Sequence, residues 1–323
     1  MAKSLGISLA PFSGIPYPDL TRLACEAEDT GFSGVFIPEA ANDGLMCCYA
    51  IARATSRITI ATWIVNIYFR EPALCAAASE MVQTESGGRF ILGLGVSHRP
   101  AMESLGIQMG NARDRLRAYT AFLRKALAGE PVGAFGRAYR KPAKPVPIYF
   151  AALALETARL GGEIADGLML YLASPERMRA SAAVAHAAAR AAGRQPSDVA
   201  ITMGVPAFID DDRVRALDAA RRALSFYASL PFYNRLLARS GFAAEAARVM
   251  EAAKRRDASA MAAALTDKMA DTVALIGPPA RCVERLAEYR AAGAELPIIV
   301  PNQVGDDYLT TVRKALKVFT ATL

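Results

Sequence analysis

The residues best suited to chemistry in this chain stand directly after apolar, strand-like segments. Glu39 ends one such segment, Trp63 and Asn66 lie near the end of another, and His98 follows a third. In a sheet of parallel strands these C-terminal ends share one edge, where ligands bind. Aromatic and amide side chains outnumber ionisable groups at these positions. Such a mixture favours the binding of a flat conjugated ring over a hydrolytic centre.

The sequence lacks the motifs of several other kinds of site. Its only histidines are His98 and His186, with no HExxH motif and no carboxylate cluster, so we predict no metal site. There is no GxSxG nucleophile motif and no GxxxxGKS or GxxxxGKT phosphate loop. The run Gly93–His98 (GLGVSH) begins like a dinucleotide-binding fingerprint but lacks the third glycine. A Rossmann-type site is therefore not expected.

Eight nearly continuous apolar segments alternate with amphipathic ones along the chain. Parallel strands that are covered on both faces have this composition, and the segments between them carry helix-capping residues. Eight strands with helices between them predict a single α/β domain over residues 1–323, closed as a (β/α)8 barrel, or TIM barrel. The predicted strands are Leu5–Phe12, Gly34–Glu39, Ile58–Asn66, Phe90–Val96, Pro147–Ala152, Gly167–Leu172, Val199–Ile209 and Leu296–Pro301.

One connection in this barrel is much longer than the others. It runs from Asp210 to Asp271, after the seventh predicted strand, and contains helical patterns over Val214–Leu230 and Ala243–Arg256. A structureless loop of this length would be unusual in a compact domain. We therefore predict a helical insertion at residues 210–271. Because both of its ends lie at the ligand-binding end of the barrel, we expect it to form a lid over the substrate face.

Glu39 and His98 are the two ionisable candidates for catalysis. An imidazole with a pKa near about 6.5 exchanges a proton at neutral pH, and a neighbouring carboxylate would orient it. The two residues follow alternate strands, whose side chains meet in one layer of a barrel. We therefore predict that His98 gives or takes a proton. The alternative for His98 is a packing or loop-capping role, with the proton coming from solvent, Tyr68 or Tyr171.

Charge and composition restrict the partners and the compartment. The net charge of +7 comes from 38 basic and 31 acidic residues that are spread along the chain. Nucleic-acid binding needs basic residues clustered on one face, so we expect no nucleic-acid partner, although an anionic small molecule would suit this charge. No apolar run approaches the roughly 18 residues that span a membrane, and Met1–Ser4 leads straight into a strand-like segment without signal-peptide features. Five cysteines without a CxxC motif suit a reducing compartment. We therefore expect a cytoplasmic protein with no membrane partner.

Five segments, in order along the chain, resemble the luciferase-like monooxygenase family. They correspond to its second strand, the exit from its third strand, its best signature, its fifth and sixth units, and its eighth unit. The pattern Asn-x-Tyr-x-Arg-x-Pro at the third-strand exit is most similar to the branch that uses the deazaflavin coenzyme F420. The segments are Gly31–Glu39 (GFSGVFIPE), Asn66–Pro72 (NIYFREP), Ser86–Gly95 (SGGRFILGLG), Pro147–Ala152 with Glu163–Gly167 (PIYFAA and EIADG), and Ile276–Pro279 with Ala291–Gly293.

The resemblance implies a TIM barrel that binds coenzyme F420, or alternatively FMN, at the carboxyl ends of its strands. The F420 branch often has a non-proline cis peptide in the third strand, packed behind the deazaflavin ring. By position this peptide would fall within Thr62, Trp63 and Ile64, and Asn66 at the strand exit would also belong to the cofactor site. Many relatives have a histidine after the second strand that acts as a base or a flavin contact, where this chain has Ala40.

The resemblance also implies where the cofactor phosphate binds. The family holds it with backbone amides at the start of the helix after the fifth strand, which here are those of Ala152, Leu153 and Ala154. Relatives often have glycine in this loop. Helix N-termini attract anions without glycine as well, because their first amides are unpaired and the helix dipole is positive there.

The leading hypothesis is an oxidoreductase that transfers a hydride between coenzyme F420 and an organic small molecule. One alternative is an FMN-dependent monooxygenase that receives reduced flavin from a partner reductase. A second alternative is a cofactor-binding relative without activity, since the family's histidine is absent. The family resemblance implies a homodimer.

Overall fold

The structure, a computed structural model, describes residues 4–323, so Met1–Lys3 of the N-terminal segment considered for a signal peptide lie outside the described residues. Within this part of the chain ten strands form one parallel sheet. Nearly all strand positions are buried, as expected for parallel strands covered on both faces. The strands are β1 (Gly6–Ser8), β2 (Gly34–Ile37), β3 (Thr59–Thr62), β4 (Val65–Asn66), β5 (Phe90–Gly95), β6 (Ile148–Ala151), β7 (Gly167–Tyr171), β8 (Ala200–Ile209), β9 (Leu275–Gly277) and β10 (Leu296–Pro301).

Pairing between β8 and β10 closes the sheet into a barrel. Neighbouring strands follow the order β10, β1, β2, β3, β5, β6, β7 and β8, and β10 then pairs with β8 along its full length. β4 continues the path of β3 and pairs with β5, while β9 pairs with the carboxyl end of β8. Eight positions therefore close the ring, and the predicted (β/α)8 barrel is confirmed.

Helices connect the strands and cover the outside of the barrel. Several begin as the sequence indicates, with a side chain that accepts hydrogen bonds from first-turn amides, for example Asp43, Asn111 and Ser174. The helices are α1 (Tyr17–Asp29), α2 (Gly44–Ala54), α3 (Pro72–Glu85), α4 (Arg99–Ser104), α5 (Ala112–Leu127), α6 (Leu155–Ile164), α7 (Pro175–Ala191), α8 (Arg213–Ser229), α9 (Pro231–Leu237), α10 (Ala243–Lys254), α11 (Ala258–Ala263), α12 (Asp267–Val273), α13 (Pro279–Ala291) and α14 (Tyr308–Thr320).

A small apolar cluster fills the middle of the barrel. Phe36, Ala61, Met169 and Ile298 are buried there against one another. The Phe36 ring lies over Gly6, where an added Cβ would come within 2.7 Å of Phe36 Cε2. The barrel is therefore a packed core below its carboxyl end, and a ligand must bind above this cluster.

Three sequence-based strand assignments need correction. The predicted strand Leu5–Phe12 ends at Ser8, because a one-turn 3-10 helix begins at Pro11 and the Ala10 N–H donates to the Tyr308 hydroxyl at 3.1 Å. The predicted strand Ile58–Asn66 is divided into β3 and β4. The short strand β9 was not assigned as a strand, because three residues carry too little periodicity.

The connection between β8 and β9 consists of helices α8 to α12, with a π-helical turn at Ala238–Phe242. α8 and α10 match the two helical patterns read from the sequence within one or two residues at each end. These helices bury a cluster of their own, which includes Leu224, Val249 and Met269. No helix in the described part of the chain is long and apolar enough to cross a membrane.

Candidate cofactor and substrate site

Trp63 and Ile64 form an apolar wall at the carboxyl end of the barrel. They lie between β3 and β4 and are joined by a cis peptide bond, within the range expected for it. Each side chain lies over a glycine of another strand: a Cβ at Gly204 would come closer than 3.0 Å to the Trp63 indole, and one at Gly95 would come within 2.7 Å of Ile64 Cγ1. These glycines make room for two large side chains inside the barrel. We refer to Trp63 and Ile64 as the strand-three wall.

Thr62 supports this wall rather than facing the barrel mouth. Its buried hydroxyl donates to the Gly93 carbonyl at 3.0 Å and accepts the Gly93 N–H at 2.9 Å. A Cβ at Gly93 would overlap the Thr62 carbonyl, so a glycine is required for this close approach. The last two glycines of the SGGRFILGLG segment, Gly93 and Gly95 of β5, therefore shape the strand-three wall.

The Glu39 carboxylate binds backbone amides on two neighbouring segments. Oε2 accepts the Gly44 N–H and Oε1 accepts the Asn66 N–H, both at 3.1 Å. Arg70 approaches Oε2 at 3.9 Å and forms a closer ion pair of 2.6 Å with Asp43. Burial raises the pKa of Glu39, against the effect of the two amides and of Arg70. Glu39 thus connects the start of α2 to the segment that follows the wall.

Asn66 stabilises the same segment with both ends of its amide. Its Oδ1 accepts the Tyr68 N–H at 3.0 Å, and its Nδ2 lies 3.2 Å from Met102 Sδ. The side chain is almost fully buried. The Oδ1 and Nδ2 atoms of Asn66 each have one partner within the protein. A contact of Asn66 with a cofactor would therefore use the second lone pair of Oδ1 or the second N–H of Nδ2.

His98 lies at the barrel mouth, where it precedes α4 and contacts the insertion. Its ring centroid is 5.6 Å from that of Tyr233 in α9. His98 Nδ1 is buried and has no hydrogen-bond partner among the described residues. Burial lowers the pKa of His98 below its ordinary value of 6.5. The imidazole is therefore neutral at neutral pH, with one nitrogen available for a ligand. Within residues 4–323 Glu39 does not hydrogen-bond to it.

Ser8 offers a second polar atom inside the barrel. It is two residues beyond Gly6 and pairs with Phe36, so its side chain faces the same interior as theirs. The hydroxyl is buried and, within the described part of the chain, lacks a hydrogen-bond partner. Buried polar groups rarely stay unpaired, which fits a bound ligand with polar atoms at this position.

An aromatic cluster connects the strand-three wall to the insertion. The rings of Trp63 and Tyr171, at the end of β7, are 5.1 Å apart, and Tyr171 is 5.4 Å from Tyr227 of α8. Tyr227 is in turn 5.3 Å from Tyr233, and all these pairs have edge-to-face geometry. We refer to Tyr171, Tyr227 and Tyr233 as the mouth tyrosines. Tyr227 and Tyr233 were not identified as site residues from the sequence. Their place in a long insertion that begins at the carboxyl end of a strand could have indicated that they lie near the barrel mouth.

The loop from β6 to α6 provides unpaired backbone amides at the rim of the site. The Ala152 N–H donates to the Met169 carbonyl at 3.2 Å, but no acceptor within the described residues pairs with the N–H of Leu153 or Ala154. Ala154 has no side-chain oxygen to cap the helix, so the first two amides of α6, those of Leu155 and Glu156, also remain available, whereas the N–H groups of Thr157 and Ala158 donate to the Ala154 carbonyl. Of the three predicted amides, those of Leu153 and Ala154 are therefore free to bind an anion.

Arg177, which sequence reasoning did not identify, adds positive charge to this loop. Its Nη2 donates to the Leu153 carbonyl at 3.0 Å, while its buried Nε has no partner in the part of the chain that the structure describes. Burial, followed by the charge of nearby Arg239, lowers the pKa of Arg177, and a guanidinium remains protonated nonetheless. The guanidinium of Arg177 thus lies next to the unpaired amides at the start of α6, a combination that can bind a phosphate.

These features define a (β/α)8 barrel with a candidate ligand site at the carboxyl ends of its strands, between an apolar wall and a helical insertion. The sequence profile of the luciferase-like monooxygenase family matches residues 5–296. The chain therefore belongs to this family of enzymes, and the resemblance seen in five sequence segments is confirmed.

Several known proteins are similar to this chain over most of their length. The 5,10-methylenetetrahydromethanopterin reductase of Methanolobus tindarius is 29% identical over 94% of this chain and 95% of its own. The structure of the coenzyme F420-dependent tetrahydromethanopterin reductase of Methanopyrus kandleri matches with a TM-score of 0.84 at 20% identity, covering 100% of this chain and 99% of that one. The structure of the oxygenating constituent of 3,6-diketocamphane monooxygenase of Pseudomonas putida, in complex with FMN, matches with a TM-score of 0.71 at 19% identity. This match covers 99% of this chain and 97% of that one. The structural likenesses agree with the barrel topology.

Proposed function

We propose that this protein is an oxidoreductase that transfers a hydride between coenzyme F420 and an organic small molecule. The observation that carries the proposal is the strand-three wall, an apolar and half-buried surface at the same end of the barrel as the unpaired amides and Arg177. A planar ring system with a phosphate-bearing side chain matches both the wall and the amides. The reductase of Methanopyrus kandleri, which has this fold, is described as F420-dependent, and this supports the choice of cofactor.

The residues present fit such a cofactor at three places. Trp63 and Ile64 would contact the face of the ring system, since both side chains are only half-buried. The amides of Leu153 and Ala154 would hold the phosphate together with Arg177. The unpaired Ser8 hydroxyl would meet a polar atom of the bound molecules.

The cofactor supplies a carrier for the hydride, and the protein must handle the proton that accompanies it. His98 is proposed for this role, because its imidazole is neutral at the mouth and its Nδ1 is unpaired. In the direction of substrate oxidation the neutral ring accepts the substrate's proton. In the opposite direction the protonated ring returns it. Glu39 is proposed as a positioning residue, because its carboxylate holds the Asn66 segment next to the wall.

An FMN-dependent monooxygenase is the second candidate. The 3,6-diketocamphane monooxygenase constituent has the same fold and contains FMN, and an apolar wall of this kind suits either ring system. This alternative requires reduced flavin from a partner reductase, and it differs in its use of oxygen.

The cofactor choice is tested by titrating the purified protein with F420 and with FMN while following Trp63, the single tryptophan of the chain, by fluorescence. We expect tighter binding of F420. Arg177→Ala should raise the Kd for F420 by about 10-fold or more, the effect of losing a charge-assisted hydrogen bond. Arg190→Ala, which removes an exposed arginine from the same helix, is the matched control and should leave the Kd unchanged. Tighter binding of FMN would overturn the cofactor choice.

We further propose that residues 1–323 form one domain in which residues 210–271 act as a lid. Tyr227 and Tyr233 of this segment lie against Tyr171 and His98 at the barrel mouth, which supports the idea. Limited proteolysis should cut the segment at exposed arginines such as Arg235 more slowly when F420 is bound. Equal cleavage rates with and without F420 would contradict a lid that closes over the cofactor.

We also propose a homodimer through the outer faces of α2 and α3, which pack side by side. These faces expose Met46 at 65%, Leu74 at 60% and Met81 at 55%, and contiguous exposed apolar surface marks interfaces. Leu74→Glu should convert a dimer to a monomer in light scattering. Leu105→Glu, at a residue equally exposed (62%) on the end of α4, should not. A monomeric wild-type protein at micromolar concentration would refute the dimer.

For the compartment, we propose the cytoplasm. All five cysteines are free thiols, and four of them are buried. Burial raises the pKa of Cys48 well above its ordinary value, so the thiol is unreactive. Unpaired structural cysteines are usual where the surroundings are reducing.

A further inference from the structure

The barrel mouth holds four titratable side chains, and all of them are uncharged at neutral pH. Burial raises the pKa of each mouth tyrosine and lowers that of His98. Besides burial, only other tyrosines shift these pKa values. The rings in contact with one another here are those of His98, Trp63 and the mouth tyrosines, none of which carries a charge at neutral pH. The surface that faces a substrate here consists of phenol rings and one neutral imidazole.

The charged groups nearest to the site have partners in other directions. The Glu39 carboxylate binds the amides of Gly44 and Asn66 and lies near Arg70. Arg177 is at the rim, on the carbonyl of Leu153. The Glu39 charge is thus held within the protein, and the proposed function assigns the Arg177 charge to the cofactor phosphate.

Behind two of the mouth tyrosines lies a small apolar cavity. Tyr227 and Tyr233 form one side of it, and aliphatic side chains of the insertion form the rest, including Leu224, Leu265 and Met269. Its volume of about 10 Å³ is at most that of one water molecule, so these two rings are closely packed against apolar side chains on this side.

From this geometry we infer that the substrate is an uncharged, largely apolar molecule, a conclusion that rests on the proposed hydride-transfer function. Its apolar body packs against Tyr227 and Tyr233, and its single polar group, a carbonyl or a hydroxyl, hydrogen-bonds to His98. An anionic or cationic substrate would lose its hydration under the lid without gaining a partner of opposite charge, which is costly. The site thus selects by charge as well as by size.

Three ring compounds of similar size test this inference: cyclohexanone, cyclohexanecarboxylate and cyclohexylammonium. Their Kd values are measured with F420-loaded and with cofactor-free protein through the fluorescence of Trp63, which is in edge contact with Tyr171. We expect cyclohexanone to bind at least about 10-fold more tightly than either ion, as the cost of desolvating an unpaired charge requires. Equal or tighter binding of either ion would overturn the inference.

Paired variants show whether the mouth tyrosines provide this selectivity. Tyr227→Leu should raise the Kd of cyclohexanone about 3-fold or more, because it removes ring contact area. Phe135→Leu, which changes an exposed ring in the segment before β6, is the control and should leave that Kd unchanged. Equal effects of the two substitutions would contradict a substrate site at the tyrosines. Failure of F420 to bind while the neutral ligand keeps its advantage would instead refute the proposed function alone.

Discussion

The strand-three wall depends on the absence of a side chain at residue 204. In the substitution Gly204→Ala, the new Cβ would lie closer than 3.0 Å to two carbons of the Trp63 indole and 3.2 Å from Tyr171 Cδ2. Carbon atoms pack at about 3.5–4.0 Å, so the indole must move by at least about 0.5 Å. It is a rigid ring with a neighbouring ring 5.1 Å away, so this movement disturbs Tyr171 as well.

The free energy of unfolding should respond in a predictable direction. Overpacking of a filled site costs about 1–3 kcal/mol. Replacement of glycine by alanine also stabilises by about 0.4–1 kcal/mol through the unfolded chain. Gly44→Ala is a control that has only the second effect, because its nearest neighbour, Glu39 Cβ, lies at an ordinary 3.4 Å. The difference between the two variants should therefore equal the overpacking cost.

Urea unfolding followed by circular dichroism measures this difference, and Trp63 emission reports the moved ring. Gly204→Ala should unfold at a lower urea concentration than Gly44→Ala, with altered emission. In a Trp63→Leu background the penalty for Gly204→Ala should disappear, because the overlapping ring is gone. Equal midpoints for the two glycine variants, with unchanged emission, would refute the described position of Trp63.

Three further predictions concern protonation. His98→Ala should lower kcat about 100-fold or more, the size of a lost acid–base contribution, while the Kd for F420 changes little; unchanged kcat would remove His98 from the mechanism. Because burial lowers the pKa of His98, the rate of substrate oxidation should rise with pH through a midpoint below 6.5, and the rate of substrate reduction should fall through the same midpoint. A midpoint above 6.5 would contradict the buried position of His98. Glu28 is half-buried, and although its partial burial acts in the opposite direction, the amides of Ser56, Arg57 and Ile58 lower its pKa to about 2 from 4.5. The Glu28 carboxylate therefore contributes to stability above about pH 4.5, and this contribution is lost as the pH falls towards 2. In urea unfolding, Glu28→Gln should lower the free energy of unfolding by about 2–3 kcal/mol at pH 7 and by little near pH 2. An equal loss at both pH values would contradict this prediction.

Much of the barrel can be predicted from the sequence because its strands are buried on both faces. The apolar run Leu296–Pro301 matches β10 residue for residue, and the run Val199–Ile209 matches β8 to within one residue. Interruptions of the strand pattern are harder to read. Nothing in the apolar run from Ile58 to Asn66 indicates by itself that it divides into two strands. The position of the cis peptide bond near Trp63 was predicted from the family resemblance and not from the apolar pattern.

The partners of the site residues could not be predicted, because they come from distant parts of the chain. Glu39 was expected beside His98, but its hydrogen bonds go to the backbone of Gly44 and Asn66. Tyr233 reaches His98 only because the insertion folds over the barrel mouth. Periodicity describes which face of an element is buried and does not determine which long-range neighbour meets it.

The most direct test of the central claim is to ask what reoxidises the reduced cofactor on the protein. Protein loaded with reduced F420 is mixed with an uncharged carbonyl compound without oxygen, and protein loaded with reduced FMN is mixed with the same compound in oxygenated buffer. The cofactor's absorbance and the oxygen concentration are followed. We predict that reduced F420 is oxidised in the absence of oxygen, only when the carbonyl compound is present, with one alcohol formed per cofactor oxidised. Conversion of the compound only with reduced FMN and oxygen would contradict it.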